Sequence, residues 1–159
     1  MFRFRSKKTW WIAASAIAIA TCCGSSAASA ATSQYAMHEA IQKGARLFAS
    51  SALGTNGMSC MTCHRAGGRT EGRLPNGKQI PSLVGTAATF PHYNQRSGHV
   101  VTLDMQLEHC VQAGLGGKPL AYDSPKMVAL LSYVTSLSQG KPIHLQGLGN
   151  PRAASIPTK

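Results

Sequence analysis

"NGMSCMTCHRAGGR", residues 56–69, places Cys60 and Cys63 three apart, with His64 directly after the second. A C-x-x-C pair alone fits a zinc half-site, a redox dithiol or a cofactor clamp. What flanks it narrows the choice. The chain opens with Arg3, Arg5, Lys7 and Lys8, continues with an apolar run from Trp10 to Thr21, and reaches Ala28-Ser29-Ala30 soon after. That order reads as a secretory signal peptide over residues 1–30, cleaved before Ala31. The run is shorter than the roughly 20 apolar residues a spanning helix needs, so no spanning helix is expected after cleavage. Cys22 ends the run, but Thr21 before it fits a lipidation box poorly. Lipoprotein anchoring through Cys22 therefore ranks below free export to the periplasm.

Export changes both charge and cysteine count. The chain has 159 residues, with 16 Lys and Arg against 5 Asp and Glu. Residues 1–30 carry four of the basic residues and no acidic one, leaving twelve against five, a net charge of +7. Such a surface suits an acidic protein partner, a small anion or an anionic membrane face. Nucleic acid is set aside, because export removes the chain from it and no run of Lys and Arg occurs. Three cysteines remain: Cys60, Cys63 and Cys110. An odd number in an oxidising compartment leaves one thiol without a partner.

In an exported chain, C-x-x-C-H reads as the attachment site of a c-type haem. Two thiols add across the two vinyl groups on one edge of the porphyrin, and the adjacent imidazole of His64 is delivered to the iron. One such motif implies one covalent haem c. A Cys60–Cys63 disulfide is the plainer alternative. Zinc ranks last, because it needs further ligands at suitable spacing and the other histidines are scattered. Downstream, "IPSLVG" at residues 80–85 offers the Pro81 carbonyl to the second ring nitrogen of His64, which would fix the tautomer of the ligand.

The remaining pattern is helical. Met37, Ile41, Gly44, Ala45 and Phe48 recur at helical spacing over 35–49. Residues 65–100 read as a long loop punctuated by glycine and proline, a length that calls for an internal organiser such as haem. Thr102 caps a helix running to about Gln112, ended by Gly114, Gly116 and Gly117. Ser124-Pro125 starts the last helix, with Met127, Leu130, Leu131, Val134 and Leu137 on its apolar face and Gly140 as its stop. Gly44 and Phe48 are expected to face Leu130 and Tyr133 across the two terminal helices. No strand-type alternation of any length is found. The expected fold is all-α: a small class I-like cytochrome c domain over residues 31–143, with long loops around one covalent haem. Residues 144–159 form an extended tail.

The second axial ligand decides what such a haem does. Met105 and Met127 are the methionine candidates. Met127 falls on the apolar face of the last helix, which favours a core role. At about 100° per residue, Leu103, Leu107, Cys110 and Val111 fall at about 0°, 40°, −20° and 80°, on one face. Met105 falls near 200°, on the opposite side with His109. The inward residue of this helix is therefore the unpaired Cys110, either a small buried hydrophobe or a thiolate ligand to iron. His92, His99 and His109 are lesser candidates.

"CMTCHRAGGR" together with "FPHYNQRSGHVVTLDMQLEHCVQAGLGGKPLAYDSPKMVALLSYVTSLSQGKPI" resembles the N-terminal haem domain of the thiosulfate dehydrogenase family. More distantly it is similar to the haem A subunit of sulfur-oxidising complexes. The resemblance covers roughly residues 35–143. It rests on Arg96-Ser97-Gly98, Cys110, Gly117 to Leu120, Asp123 to Pro125 and Tyr133, a string more specific than the haem motif. The resemblance implies that Cys110 is the distal iron ligand, and that the haem edge beside it is where two thiosulfates join to form tetrathionate. Two departures matter. The family is usually dihaem, with a second domain accepting electrons, whereas this sequence shows a single C-x-x-C-H. The family pattern also places arginines four before and three after the ligand cysteine, where this chain has Gln106 and Ala113. Arginine is the natural partner of a divalent oxyanion, so their replacement weakens the case for turnover. Arg96 and Lys118 remain as anion-binding candidates.

Three functions follow as expectations. The first is a periplasmic monohaem cytochrome transferring electrons in inorganic sulfur oxidation, with a redox partner protein of acidic surface. The second is a thiosulfate dehydrogenase-type enzyme using Cys110, Arg96 and Lys118, with a separate electron acceptor. The third is a haem-based ligand sensor.

Overall fold

The computed structural model describes residues 24–145. The basic start and apolar run of the expected signal peptide, Cys22, and most of the expected tail lie outside the described residues. Two long helices form the frame. Helix α1 spans Gly24–Ala49 and α5 spans Pro125–Ser136. Helix α1 begins earlier than the 35–49 expected, so the proposed cleavage point before Ala31 falls within it. Its early turns are rich in alanine, which favours helix without any packing partner, and residues 29–39 are exposed. Among the described residues no helix is long and apolar enough to cross a membrane.

The α5 start is built as the sequence suggests. The Ser124 hydroxyl accepts a hydrogen bond from the Met127 amide at 3.2 Å, and Pro125 occupies the first turn. Helix α5 then crosses α1 at Gly44. A Cβ on residue 44 would run into the Ala129 carbonyl and come within 2.6 Å of the Tyr133 Cβ, so only glycine permits this approach. One turn on, Phe48 packs its ring 5.3 Å from that of Tyr133. These residues join Leu53, Leu115, Leu130, Val134 and Leu137 in one buried cluster. Burying a side chain of this size stabilises the fold by about 1.5–3 kcal/mol. The expected pairing of Gly44 and Phe48 with Leu130 and Tyr133 is what the structure shows.

The segment read as a strand-free loop contains two small antiparallel hairpins. Strands β1, Gly72–Arg73, and β2, Gln79–Ile80, form the first. Strands β3, His92–Asn94, and β4, His99–Val101, form the second, with His92 opposite Val101 and Asn94 opposite His99. The Asn94 side-chain oxygen accepts from the Arg96 and Ser97 amides at 2.9 and 3.3 Å, shaping the turn that Gly98 closes at φ 72°. Strands of two or three residues are too short to produce readable alternation. The described residues are nonetheless mainly helical.

Between the frame helices lie the pieces that carry the motif. A 3₁₀ turn at Ser51–Leu53 leads to the single turn α2, Cys60–Cys63, followed by the tight turn α3, Arg65–Gly68. Helix α4, Leu103–His109, passes directly into a π-helical turn at Cys110–Gly114. That change of winding at Cys110 falls inside the one continuous helix read from the sequence. Wide turns of this kind recur at functional positions.

Candidate haem site

Cys60, Cys63 and His64 are set by local backbone bonds. The Thr62 amide donates to the Ser59 carbonyl at 3.0 Å, and the His64 amide to the Cys60 carbonyl at 2.9 Å, closing α2 around the two thiols. The chain then reverses sharply, with Ala66, Gly67 and Gly68 at φ 51°, 66° and 82°. The Tyr133 hydroxyl donates to the Gly67 carbonyl at 2.8 Å, and the Leu83 amide to the Gly68 carbonyl at 2.7 Å. The last helix and the 81–85 loop thus both hold the turn that follows His64. Phe48 lies 6.2 Å from the His64 ring, so the core reaches the imidazole directly.

Cys110 is brought to the same place by a second set of bonds. The Thr55 amide donates to the Leu115 carbonyl at 3.0 Å, the Thr55 hydroxyl to the Gly116 carbonyl at 2.9 Å, and the Asn56 side-chain amide to the Gly114 carbonyl at 3.0 Å. Close backbone approach is built in here too. A Cβ on Gly54 would strike the Leu115 carbonyl, and one on Gly117 the Leu53 carbonyl. This strap couples the segment entering α2 to the turn leaving Cys110. Sequence reading passed over Thr55 and Asn56, because polar residues in a Gly/Ser-rich loop carry no periodic signal.

Among the described residues Cys60, Cys63 and Cys110 form no disulfide. They stand close enough to act on one another electrostatically. Burial and then the nearby Cys110 push the Cys60 thiol up to about 11. Burial raises the Cys110 thiol as well; the Gln106 side chain opposes that shift and Cys63 adds to it. Burial lowers the pKa of His64, favouring the neutral imidazole, which is the form that binds metal. The Gln106 side-chain amide donates to the Cys110 sulfur at 3.5 Å.

One expectation fails. The His64 Nδ1 is buried and has no hydrogen-bond partner, so the Pro81 carbonyl does not receive it, and Pro81 itself is exposed. Leu83 and Ser82 of the 81–85 loop bond to the neighbouring turn instead. Leu83 reaches Gly68, and the Ser82 hydroxyl donates to the carbonyls of Gly68 and Arg69 at 3.2 and 2.9 Å.

The other candidates separate clearly. Met127 is 1% exposed on α5, as its periodicity suggested for a core residue. Met105 is 39% exposed on the face of α4 away from Val111, which is 2% exposed. Met105, Gln106 and His109 line a cavity of about 920 Å³ together with Arg96, His99 and Val101. Lys118 and Ala113 are exposed and are not among the residues lining it. The His92 ring lies 4.4 Å from that of Phe90, tilted by 41°, with its Nδ1 buried and unpartnered.

The donor set fits a c-type haem: two thiols on one helical turn, an imidazole beside them, and a third thiol within electrostatic reach. The SoxA/TsdA cytochrome c domain model matches residues 43–143. The chain belongs to the SoxA/TsdA cytochrome c family. Its chemistry is therefore that of a haem c domain, and Cys60, Cys63 and His64 are the residues that would hold the group. The thiosulfate dehydrogenase of Allochromatium vinosum is 35% identical over 88 residues, 55% of this chain and 32% of that protein. The L-cysteine S-thiosulfotransferase subunit SoxA of Rhodovulum sulfidophilum is 28% identical over 90 residues, 57% of this chain and 27% of that protein. Among solved structures, SoxXA from P. pantotrophus superposes with a TM-score of 0.55 at 21% identity, covering 69% of this chain and 36% of the other. The aligned part of this SoxA/TsdA-family chain spans about a third of the length of these curated relatives or less.

Proposed function

We propose that the chain is a periplasmic monohaem cytochrome that transfers electrons in inorganic sulfur oxidation. In this reading residues 1–30 are removed on export, and residues 31–143 form the haem domain. Cys60 and Cys63 hold the haem covalently, His64 is the proximal ligand, and Cys110 is the distal one. The observation that carries it is the convergence of Cys110 on the C-x-x-C-H turn, fixed by the Thr55 and Asn56 strap.

Bound there, the haem supplies a one-electron carrier. The protein's own groups define how it works. Burial keeps the His64 imidazole neutral and ready to ligate. A thiolate from Cys110 donates charge and favours the ferric state, so a low potential is expected. The basic surface suits an acidic redox partner. Electron paramagnetic resonance of the ferric holoprotein tests the reading. The wild type should give a low-spin thiolate signal that Cys110→Met abolishes. An unchanged spectrum in the variant refutes Cys110 as ligand.

A second reading is favoured by the cavity beside α4. Arg96 lines it, and it shares Gln106 with the Cys110 sulfur. A sulfur oxyanion held there lies near that sulfur, as an enzyme joining two thiosulfates into tetrathionate requires. Two electrons leave in that reaction and pass to a separate acceptor. Steady turnover of thiosulfate with an external cytochrome supports it, and no turnover even with the natural redox partner sinks it.

A further inference from the structure

We infer that Gln106 is a positioning residue that sets the charge on the Cys110 sulfur, and through it the reduction potential of the haem. The inference rests on the reading of Cys110 as distal ligand. Its basis is the hydrogen bond from the Gln106 side-chain amide to the Cys110 sulfur at 3.5 Å, four residues apart along one helix. At sulfur this is an ordinary contact length, and the i,i+4 spacing stacks the two side chains on neighbouring turns. Leu107, which packs against the core, and Val111, which is 2% exposed, follow these two residues in sequence and fix how α4 is rotated. Gln106 is therefore aimed by the helix rather than left to search for a partner.

The direction of the effect follows from charge. Reduction adds an electron to the iron–sulfur unit. An N–H dipole aimed at the sulfur stabilises the more negative state and withdraws density the thiolate would otherwise give to the iron. Hydrogen bonds to a ligating sulfur are among the ways a protein raises a haem potential. A neutral amide is a weaker donor than a guanidinium. Gln106 thus leaves the sulfur more electron-rich than an arginine in its place, and less so than an apolar residue. It also lines the Arg96 cavity, so this amide links that cavity to the cysteine sulfur.

The test is the midpoint potential and the ferric resonance spectrum of holoprotein carrying Gln106→Leu, Gln106→Asn or Gln106→Arg. Leucine removes the donor, and asparagine keeps the amide but shortens its reach. Both are expected to lower the potential by an amount equivalent to roughly a tenfold change in the ferric-to-ferrous ratio at fixed poise, about 59 mV for one electron. Arginine is expected to raise it. The low-spin g values should shift in opposite senses in the two cases. A potential and spectrum unchanged in Gln106→Leu, or a shift of the same sign in all three variants, overturns the inference. If Cys110→Met alters the spectrum while the Gln106 variants do not, this inference fails and the ligand reading stands. If Cys110→Met leaves the spectrum unchanged, the ligand reading fails and takes this one with it.

Discussion

The α1–α5 crossing and the α2–α4 region are held together in different ways. The crossing is dry: Phe48, Met127, Leu130 and Val134 are each 2% exposed or less, and Gly44 brings the helix backbones together. Around the cysteines no side chain of α2 or α4 is fully buried, and Cys60, Cys63, His64 and Cys110 are all half-buried. There the chain is positioned by hydrogen bonds from the Thr55 and Asn56 side chains to carbonyls about sixty residues away in sequence. The first region has an energetic reason to form by itself. The second has geometry more than burial, which suits the ligand-presenting role proposed for it.

That contrast can be broken first at Phe48, where the two regions meet. Phe48→Ala should destabilise the protein by about 4 kcal/mol. Because the ring lies beside His64, it should also perturb the haem spectrum, so thermal unfolding and visible absorption are read together. Gly44→Val acts on the crossing alone. With no room for a Cβ, it should cost about 3 kcal/mol by denaturant titration while leaving the ferric spectrum of the surviving folded protein unchanged. Asn56→Ala reverses the pattern. It removes the strap bond to Gly114 and the acceptor of the Met58 amide, costs about 1–2 kcal/mol, and should loosen Cys110, seen as a second low-spin species in the resonance spectrum. Tyr133→Phe removes the bond to the Gly67 carbonyl, with an effect of about 1 kcal/mol or less on unfolding. The smallest effect belongs to Met105→Leu, which should change neither stability nor spectrum measurably. A lost ligand signal there would overturn the assignment of Met105 to the outer face.

The parts governed by periodicity were legible in advance. The angular reading of 103–111 turns Val111 inward and Met105 outward, as their exposures of 2% and 39% show. The α5 cap at Ser124 and the Gly44–Tyr133 approach follow from residue type and spacing. The hairpins within 65–100 were not legible, since strands of two or three residues leave no pattern. Nor was the failure of Pro81 to reach His64, because the path of that loop is decided by Ser82 and Leu83 bonding to Gly68.

By itself, the sequence determined the C-x-x-C-H clamp, the two frame helices and the inward direction of Cys110. Each depends on neighbours a few residues away, where spacing and rotation along one element fix the geometry. Only the tertiary structure decided that Cys110 comes within electrostatic reach of Cys60 and Cys63, that Asn56 and Thr55 tie the two segments together, and that Gln106 donates to the sulfur. The first two join segments about fifty to sixty residues apart, and the third depends on a side-chain rotamer. Neither kind of contact is written in the periodicity of a single strand or helix.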